Sequence, residues 1–297
     1  MAFNWQTFKT RTLTAIIFAA VMLAGLLINR WTFFILISVI HFGCWWEYLK
    51  LVEKIFKTRM DRLIKYLLIF IGYIIFCTLA FTGYSVDPEI SIGSFGMSLK
   101  WMLYILCLVS IGSFLFQNRK LRSKAKWMSV GGYLYISLSL GLIMNLYGKT
   151  VIHFQESFFV IARVYFYPAS IIASLWINDT MAYIVGSLVG KTQMSKISPK
   201  KTWEGTVGGI IFCVVVIYLL AYYVFHFGII SYGLVILAAI VSITGTFGDL
   251  LESKLKRRAN VKDSGHIMPG HGGFLDRFDS LLIAIPFVWL YVYFLMR

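Results

Sequence analysis

The chain has 297 residues, of which 59% are hydrophobic, 17% aromatic and only 14% charged, and its mean hydropathy is +0.77. That composition excludes an ordinary soluble domain and puts the protein in the helical membrane class. The formal net charge of +15 would suit nucleic acid, but the basic residues are spread over short loops beside apolar runs, so membrane lipids are the expected partner and nucleic acid is not.

Runs long enough to cross a bilayer, about 17 to 25 residues each, fall near 13–29, 31–49, 63–82, 100–116, 130–147, 164–187, 206–227, 230–250 and 279–296. They predict an all-α, polytopic integral membrane protein of about nine transmembrane helices, with a five-helix scaffold over 1–150 and a four-helix part over 151–297 that carries the charged motifs taken up below. Lys and Arg set the orientation. With the N-terminus in the cytoplasm, 23 of the 28 basic residues face inward, leaving Arg30, Lys100, Lys149, Arg163 and Arg297 outside. The C-terminus is then external, and the expected location is the inner (plasma) membrane. Lys9 and Arg11 ahead of the first run also suit a signal peptide. No small-residue cleavage pattern leads into a polar chain, and Trp31 opens a second apolar run, so the helix is expected to be retained. Cys44, Cys77, Cys107 and Cys213 lie within apolar spans without paired spacing and read as small buried hydrophobes.

The first half shows little chemistry. Trp45, Trp46, Glu47 and Tyr48 end the second run like an interfacial anchor, with Glu47 read as a snorkelling carboxylate, and the basic stretch Lys50 to Lys65 suits an anionic leaflet. The loop 83–99, with Asp87 and Glu89, reads as an external connector. This half is expected to serve as scaffold, lipid contact or oligomer surface, a homodimer included.

The sixth run changes character at Asn178, Asp179 and Thr180, because an ionisable group within a span faces a polar cavity or a partner. Ala182, Gly186 and Gly190 recur every four residues and form a face that another helix can approach. The following loop reads Gly190-Lys191, then Ser198-Pro199-Lys200-Lys201-Thr202-Trp203-Glu204-Gly205. Ser-Pro is expected to start a turn, Lys200 and Lys201 offer cations to phosphate, and the next helix offers its N-terminal amides. In the eighth run, Ser242, Gly245, Asp249, Glu252, Ser253 and Lys256 recur at steps of three and four, which places them on one helix face.

The stretch from Asp249 to Ser280 concentrates the charge: five of the thirteen acids, six of the 28 bases and two of the five histidines. Carboxylates interleaved with Lys and Arg around a Gly-His-Gly-Gly turn supply hard oxygen ligands, phosphate-directed cations and backbone that a ligand can approach. An ordinary charged loop would need no such turn beside Asp276-Arg277-Phe278-Asp279. Helix capping is the plain alternative for Asp276 and is compatible with metal binding.

Ser253, Lys256, Arg257, Lys262, Asp263, Gly265, Pro269, His271, Gly272, Gly273, Asp276, Arg277 and Asp279 together resemble the C-terminal signature of the phosphatidate cytidylyltransferases, or CDP-diacylglycerol synthases. Met268 departs mildly, standing where a branched aliphatic or Phe is usual. Asp179, Tyr183 and Gly186 resemble the family's Asp-x-x-Ala-Tyr-x-x-Gly element, and the 198–205 loop its Ser-Pro-x-Lys-Thr-Trp-x-Gly element. The resemblance implies that CTP and phosphatidate give CDP-diacylglycerol and pyrophosphate in phospholipid biosynthesis, at a site facing the cytoplasm.

On that footing Asp249, Lys256, Lys262, Asp276, Arg277 and Asp279 are the expected catalytic residues. Asp249, Asp276, Asp279 and Asp179 are expected to hold Mg²⁺, as one ion or a close pair, with Asp263 a further candidate. Lys200, Lys201, Thr202, Ser253, Arg257, His271, Gly272 and Gly273 are expected to bind substrate, His271 as phosphate donor or turn stabiliser. A phosphate monoester is already largely dianionic near neutral pH, its second pKa being about 6, so a strong general base is unnecessary. Accordingly no Ser/His or Cys/His pair is evident. A CTP-dependent lipid-alcohol kinase or an ether-lipid cytidylyltransferase would use a similar site, whereas a transporter would not need so dense a mixture of charges.

Overall fold

The computed structural model describes residues 5–81, 89–92, 95–117, 121–147, 165–226, 230–265 and 272–296. Asp87, Lys149, Arg163, Met268, Pro269, His271 and Arg297 lie outside the described residues.

The described chain is built from helices α1 (Trp5–Leu27), α2 (Arg30–Phe56), α3 (Arg62–Ala80), α4 (Leu99–Gln117), α5 (Ser123–Gly132), α6 (Ser139–Leu146), α7 (Phe166–Val189), α8 (Trp203–Leu219), α9 (Ile230–Arg258) and α10 (Leu275–Leu295). A π-helical turn, Tyr133–Leu138, joins α5 to α6, and another, Leu220–Val224, extends α8. Seven of the resulting helices are long and apolar enough to cross a membrane, while Thr12–Leu27 and Trp101–Phe116 are shorter apolar helices. Each of the nine apolar runs in the sequence is therefore represented by helix among its described residues. The helices outrun the runs: α2 continues to Phe56 and α9 to Arg258, because Lys, Glu and Arg end a hydrophobic stretch yet are good helix formers. Exposed Phe70, Leu108, Phe212, Ile236 and Phe294 give the helices the apolar exterior that lipid requires.

The described residues also form two small antiparallel hairpins, β1 (Glu89–Ile92) with β2 (Phe95–Ser98) and β3 (Gln193–Ser195) with β4 (Ser198–Thr202). The second corrects one expectation. Ser198-Pro199 opens strand β4, and the turn lies before it at Lys196-Ile197. A proline at the start of a strand on a sheet edge interrupts no ladder bond.

The chain divides into two compact units, residues 1–145 with 259–275, and 146–258 with 276–297. In the first, Asn29 closes the short α1–α2 connection with a reciprocal cap: its Oδ1 accepts the Thr32 N–H at 2.8 Å, and Thr32 Oγ1 accepts the Asn29 N–H at 3.1 Å. Trp45 is fully buried and donates from Nε1 to Ser137 Oγ at 2.9 Å; His41 Nε2 lies 3.0 Å from the same oxygen. A side chain at Gly72 would come within 2.8 Å of that indole nitrogen, so α3 reaches the cluster only as glycine.

The second unit packs Cys213, Ile217, Ala221, Leu234 and Ala238 into one apolar cluster. All four cysteines are free thiols, as their spacing predicts. The small face of α7 is the one α8 covers: a Cβ on Gly205 would lie 2.8 Å from Gly186 Cα, and one on Gly209 would lie 2.8 Å from Ala182 Cβ. Without a hydrophobic drive between helices in lipid, such close backbone approach supplies the van der Waals attraction.

Candidate active site

The charges of the second unit gather beside a close approach of α9 and α10. A Cβ on Gly248 would stand 2.9 Å from Ser280 Cα and 2.5 Å from the Asp279 carbonyl oxygen, so glycine here sets the spacing. The next residue, Asp249, is within electrostatic reach of Asp279. Asp249 pairs with Lys201, which β4 carries to it, and accepts the Ser253 hydroxyl at 3.5 Å.

One turn along α9, the fully buried Glu252 pairs with Lys256, whose Nζ also reaches Asp276 Oδ1 at 2.6 Å. Asp279 is 8% exposed, and its Oδ1 accepts the Ser280 N–H at 2.7 Å. Asp179 is exposed on α7 and feels both Lys201 and Asp249, while Arg277 feels Asp276 and Asp279.

The network thus sets Asp179, Asp249, Glu252, Asp276 and Asp279 against Lys201, Lys256 and Arg277. With every group ionised, two negative charges remain, in surroundings where uncompensated charge is costly. The donors are hard oxygens, so sign and chemistry both fit a divalent cation such as Mg²⁺. Among the described residues no three His, Cys, Asp or Glu side chains form a ready-made cage. Lysine already holds Asp249 and Asp276, and a cation there would compete with Lys201 and Lys256 for the same oxygens.

Several predicted site residues are placed elsewhere. Lys200 is exposed on β4 beside Lys201, and Arg257 is exposed near the end of α9. Thr202 caps α8, its Oγ1 accepting the Gly205 N–H at 3.1 Å. Lys262, Asp263, Gly272 and Gly273 belong to the first unit, where Lys262 and Asp263 are exposed. His271 is outside the described residues. Asp276 lies inside the first turn of α10, after Leu275, so it is an ion-pair partner of Lys256 and not the cap residue.

Three acids acquire roles the sequence did not give them. Glu204 accepts the N–H groups of Lys191 at 3.2 Å and Thr192 at 3.1 Å, tying the β3–β4 hairpin to the first turn of α8. Glu252 is one face-mate of the stripe that the structure places fully inside. Glu47 is not a snorkelling interfacial group: it is 2% exposed and accepts hydrogen bonds from Ser264, Phe274 and Leu275. The signal was present, since an ionisable residue at the end of an apolar run asks for a partner. The structure also brings together the pair His41 and Ser137, but both are buried and Trp45 donates to the same hydroxyl, so the pair is a sealed core contact.

Compared with known proteins, the chain matches the family model described as "Cytidylyltransferase family" over residues 9–295. A phosphatidate cytidylyltransferase of Staphylococcus saprophyticus is 49% identical over 113 residues, which is 38% of this chain and 43% of that relative. One of Staphylococcus aureus (strain COL) is 45% identical over 113 residues, with the same shares of 38% and 43%. One of Bacillus subtilis (strain 168) is 45% identical over 116 residues, 39% of this chain and 43% of the relative. The matched segments therefore take in less than half the length of these relatives.

Proposed function

The chain belongs to the cytidylyltransferase family, and we propose that it transfers the cytidylyl group of CTP to phosphatidate, giving CDP-diacylglycerol and pyrophosphate. The relatives that share its sequence carry the name of that activity. The observation that supports the reading most directly is the mixed-charge network of the second unit, with Lys201 paired to Asp249 and Lys256 held between Glu252 and Asp276.

In this reaction a phosphate oxygen of phosphatidate forms a bond to the α-phosphorus of CTP, and the bond to the bridging oxygen of the β-phosphate breaks. The attacking monoester is already anionic, so the chief obstacle is repulsion between two anions. Lys201, Lys256 and Arg277 would supply cations for the phosphates, with Lys200 and Arg257 exposed on the same unit, and a phosphate arriving at Lys201 or Lys256 would exchange one anionic partner for another. Asp249, Asp276 and Asp279, with Asp179 nearby, are the residues that would hold Mg²⁺. When bound, the ion would neutralise phosphate charge and orient the leaving pyrophosphate.

We place the network at the cytoplasmic face of the inner membrane, supported by the 23 of 28 basic residues that one orientation puts on the cytoplasmic side. A reporter fused after Arg297 should then register as external and one inserted between Lys262 and Gly265 as cytoplasmic; the reverse pattern removes access to cytosolic CTP.

The deciding experiment is purified protein with radiolabelled CTP, Mg²⁺ and phosphatidate. Label should enter the lipid as CDP-diacylglycerol with release of pyrophosphate. Labelled CDP together with a newly phosphorylated lipid would instead identify a CTP-dependent kinase.

A further inference from the structure

The first unit holds a buried carboxylate that the chemistry above does not use. Glu47, on α2, accepts the Ser264 hydroxyl at 2.7 Å, the Phe274 N–H at 3.0 Å and the Leu275 N–H at 2.9 Å. The donors come from the two ends of the segment 264–275, so one side chain ties both ends.

The described residues at both ends are shaped to admit it. A Cβ on either Gly265 or Gly273 would collide with the Glu47 carboxylate, and Gly272 turns the chain into position with φ 82°. One turn earlier on α2, Gly43 leaves room for the Phe274 ring, which a Cβ would strike. Among the described residues no ammonium or guanidinium pairs with Glu47. Its charge rests on neutral donors, two of them amides at the start of α10, where the helix dipole favours an anion.

We propose that Glu47 is a positioning residue for cytidylyl transfer: its carboxylate holds Ser264 together with Phe274 and Leu275, whose amides open α10, the helix whose next residues are Asp276 and Arg277. The inference rests on the proposed transferase reading. It assigns Gly265 and Gly273 a task that needs no ligand, namely letting backbone meet a buried side chain.

Glu47→Gln tests it, because the amide keeps the size but cannot accept at both ends. Phe274 donates to Oε1 and Leu275 to Oε2, so either amide orientation sets one N–H against a donor. The expected result is a fall in kcat of about tenfold or more, the scale of one lost charge-assisted hydrogen bond, with KM for CTP changed less. Amide hydrogen exchange should accelerate in the peptide containing Phe274 and Leu275 and stay at wild-type rates elsewhere. Ser264→Ala removes one donor and leaves the Phe274 and Leu275 amides in place, so it should act in the same direction, more weakly. Its loss should not multiply with that of Glu47→Gln, since both act through one clamp. Wild-type kcat in Glu47→Gln overturns the proposal, and so does exchange that rises throughout the protein while kcat falls only with the folded fraction. If the wild-type protein makes no CDP-lipid, the transferase reading fails by itself, and the exchange experiment still decides whether Glu47 clamps the segment.

Discussion

Glu47 in the first unit and Glu252 in the second are both carboxylates removed from solvent, at 2% and 0% exposure, yet they are satisfied in opposite ways. Glu47 takes neutral donors, among them Ser264, Phe274 and Leu275, from fixed directions. Glu252 faces the ammonium of Lys256, and neither of its oxygens accepts a further hydrogen bond among the described residues. Backbone amides are directional and belong to one conformation, so they hold a shape. An ammonium is a compact, rotatable charge that can be shared, as Lys256 is shared between Glu252 and Asp276. The first arrangement suits a permanent fixture, and the second suits charge that a phosphate or metal ion can rearrange.

The largest effects should come from removing charge in the second unit. Asp249→Asn and Asp279→Asn are each expected to abolish CDP-lipid formation at ordinary Mg²⁺, and Asp276→Asn to come close to that, as measured by label transferred from CTP. Asn retains size and one oxygen, so an acid acting only through shape would tolerate it. A folded Asp276→Asn, Asp279→Asn double variant with full Mg²⁺-dependent activity would erase the distinction between the two units.

Next comes Lys256→Met, which keeps the stem and deletes the charge. It leaves Glu252 buried without its counter-ion and should destabilise the protein by about 3 kcal/mol, the low end for a broken buried pair because Lys256 retains 15% side-chain exposure. Reversible unfolding in mild detergent reads this. Adding Glu252→Gln should recover part of the stability but not the activity. Recovery of both would make Lys256 a purely internal counter-ion.

Smaller again is the joint change Lys200→Gln, Lys201→Gln. Lys201 lies against Asp249 and Lys200 is exposed beside it, so phosphate contact is weakened while no core pair is lost. A rise of about tenfold in KM for CTP or for phosphatidate is expected, with unfolding unchanged, on the scale of one charge-assisted contact. Unaltered kinetic constants would reduce the hairpin to a surface feature.

Much of the second unit can be read directly from its spacing. Asp249, Glu252, Ser253 and Lys256 share a helix face by arithmetic, and Ala182, Gly186 and Gly190 announce a close helix contact. The spacing does not say which acid meets which lysine, because Lys201 reaches Asp249 through a hairpin whose turn lies before Ser198-Pro199. It also passes over Gly248, since one glycine in an apolar helix looks like another until its neighbour is known. Glu47 is the clearest case. Its partners lie 217, 227 and 228 residues away, so local sequence offers only a carboxylate at the end of an apolar run, which an interfacial group would equally explain. Gly272 and Gly273 were legible as backbone that something approaches; for Gly273, the structure shows that the visitor is Glu47 itself.

The smallest effect is expected at Thr202, where binding and shape can be separated in a single side chain. Its backbone is extended, with φ −113° and ψ 152°, so it ends β4 and caps α8 at once. The hydroxyl already accepts the Gly205 N–H at 3.1 Å, and it lies in a notch where a Cβ on Gly190 would come within 2.6 Å of it. A hydroxyl so placed resembles Glu47 more than Lys201: it is committed to the fold. Thr202→Ala should therefore lower stability by about 1 kcal/mol, the usual value of a lost N-cap. Thr202→Ser, which keeps the acceptor, should lose only a few tenths of that amount. The KM for CTP should stay close to wild type in both. A large rise in KM for Thr202→Ala with unchanged unfolding would mean that the hydroxyl serves the substrate, moving Thr202 from the company of Glu47 to that of the exchangeable lysines.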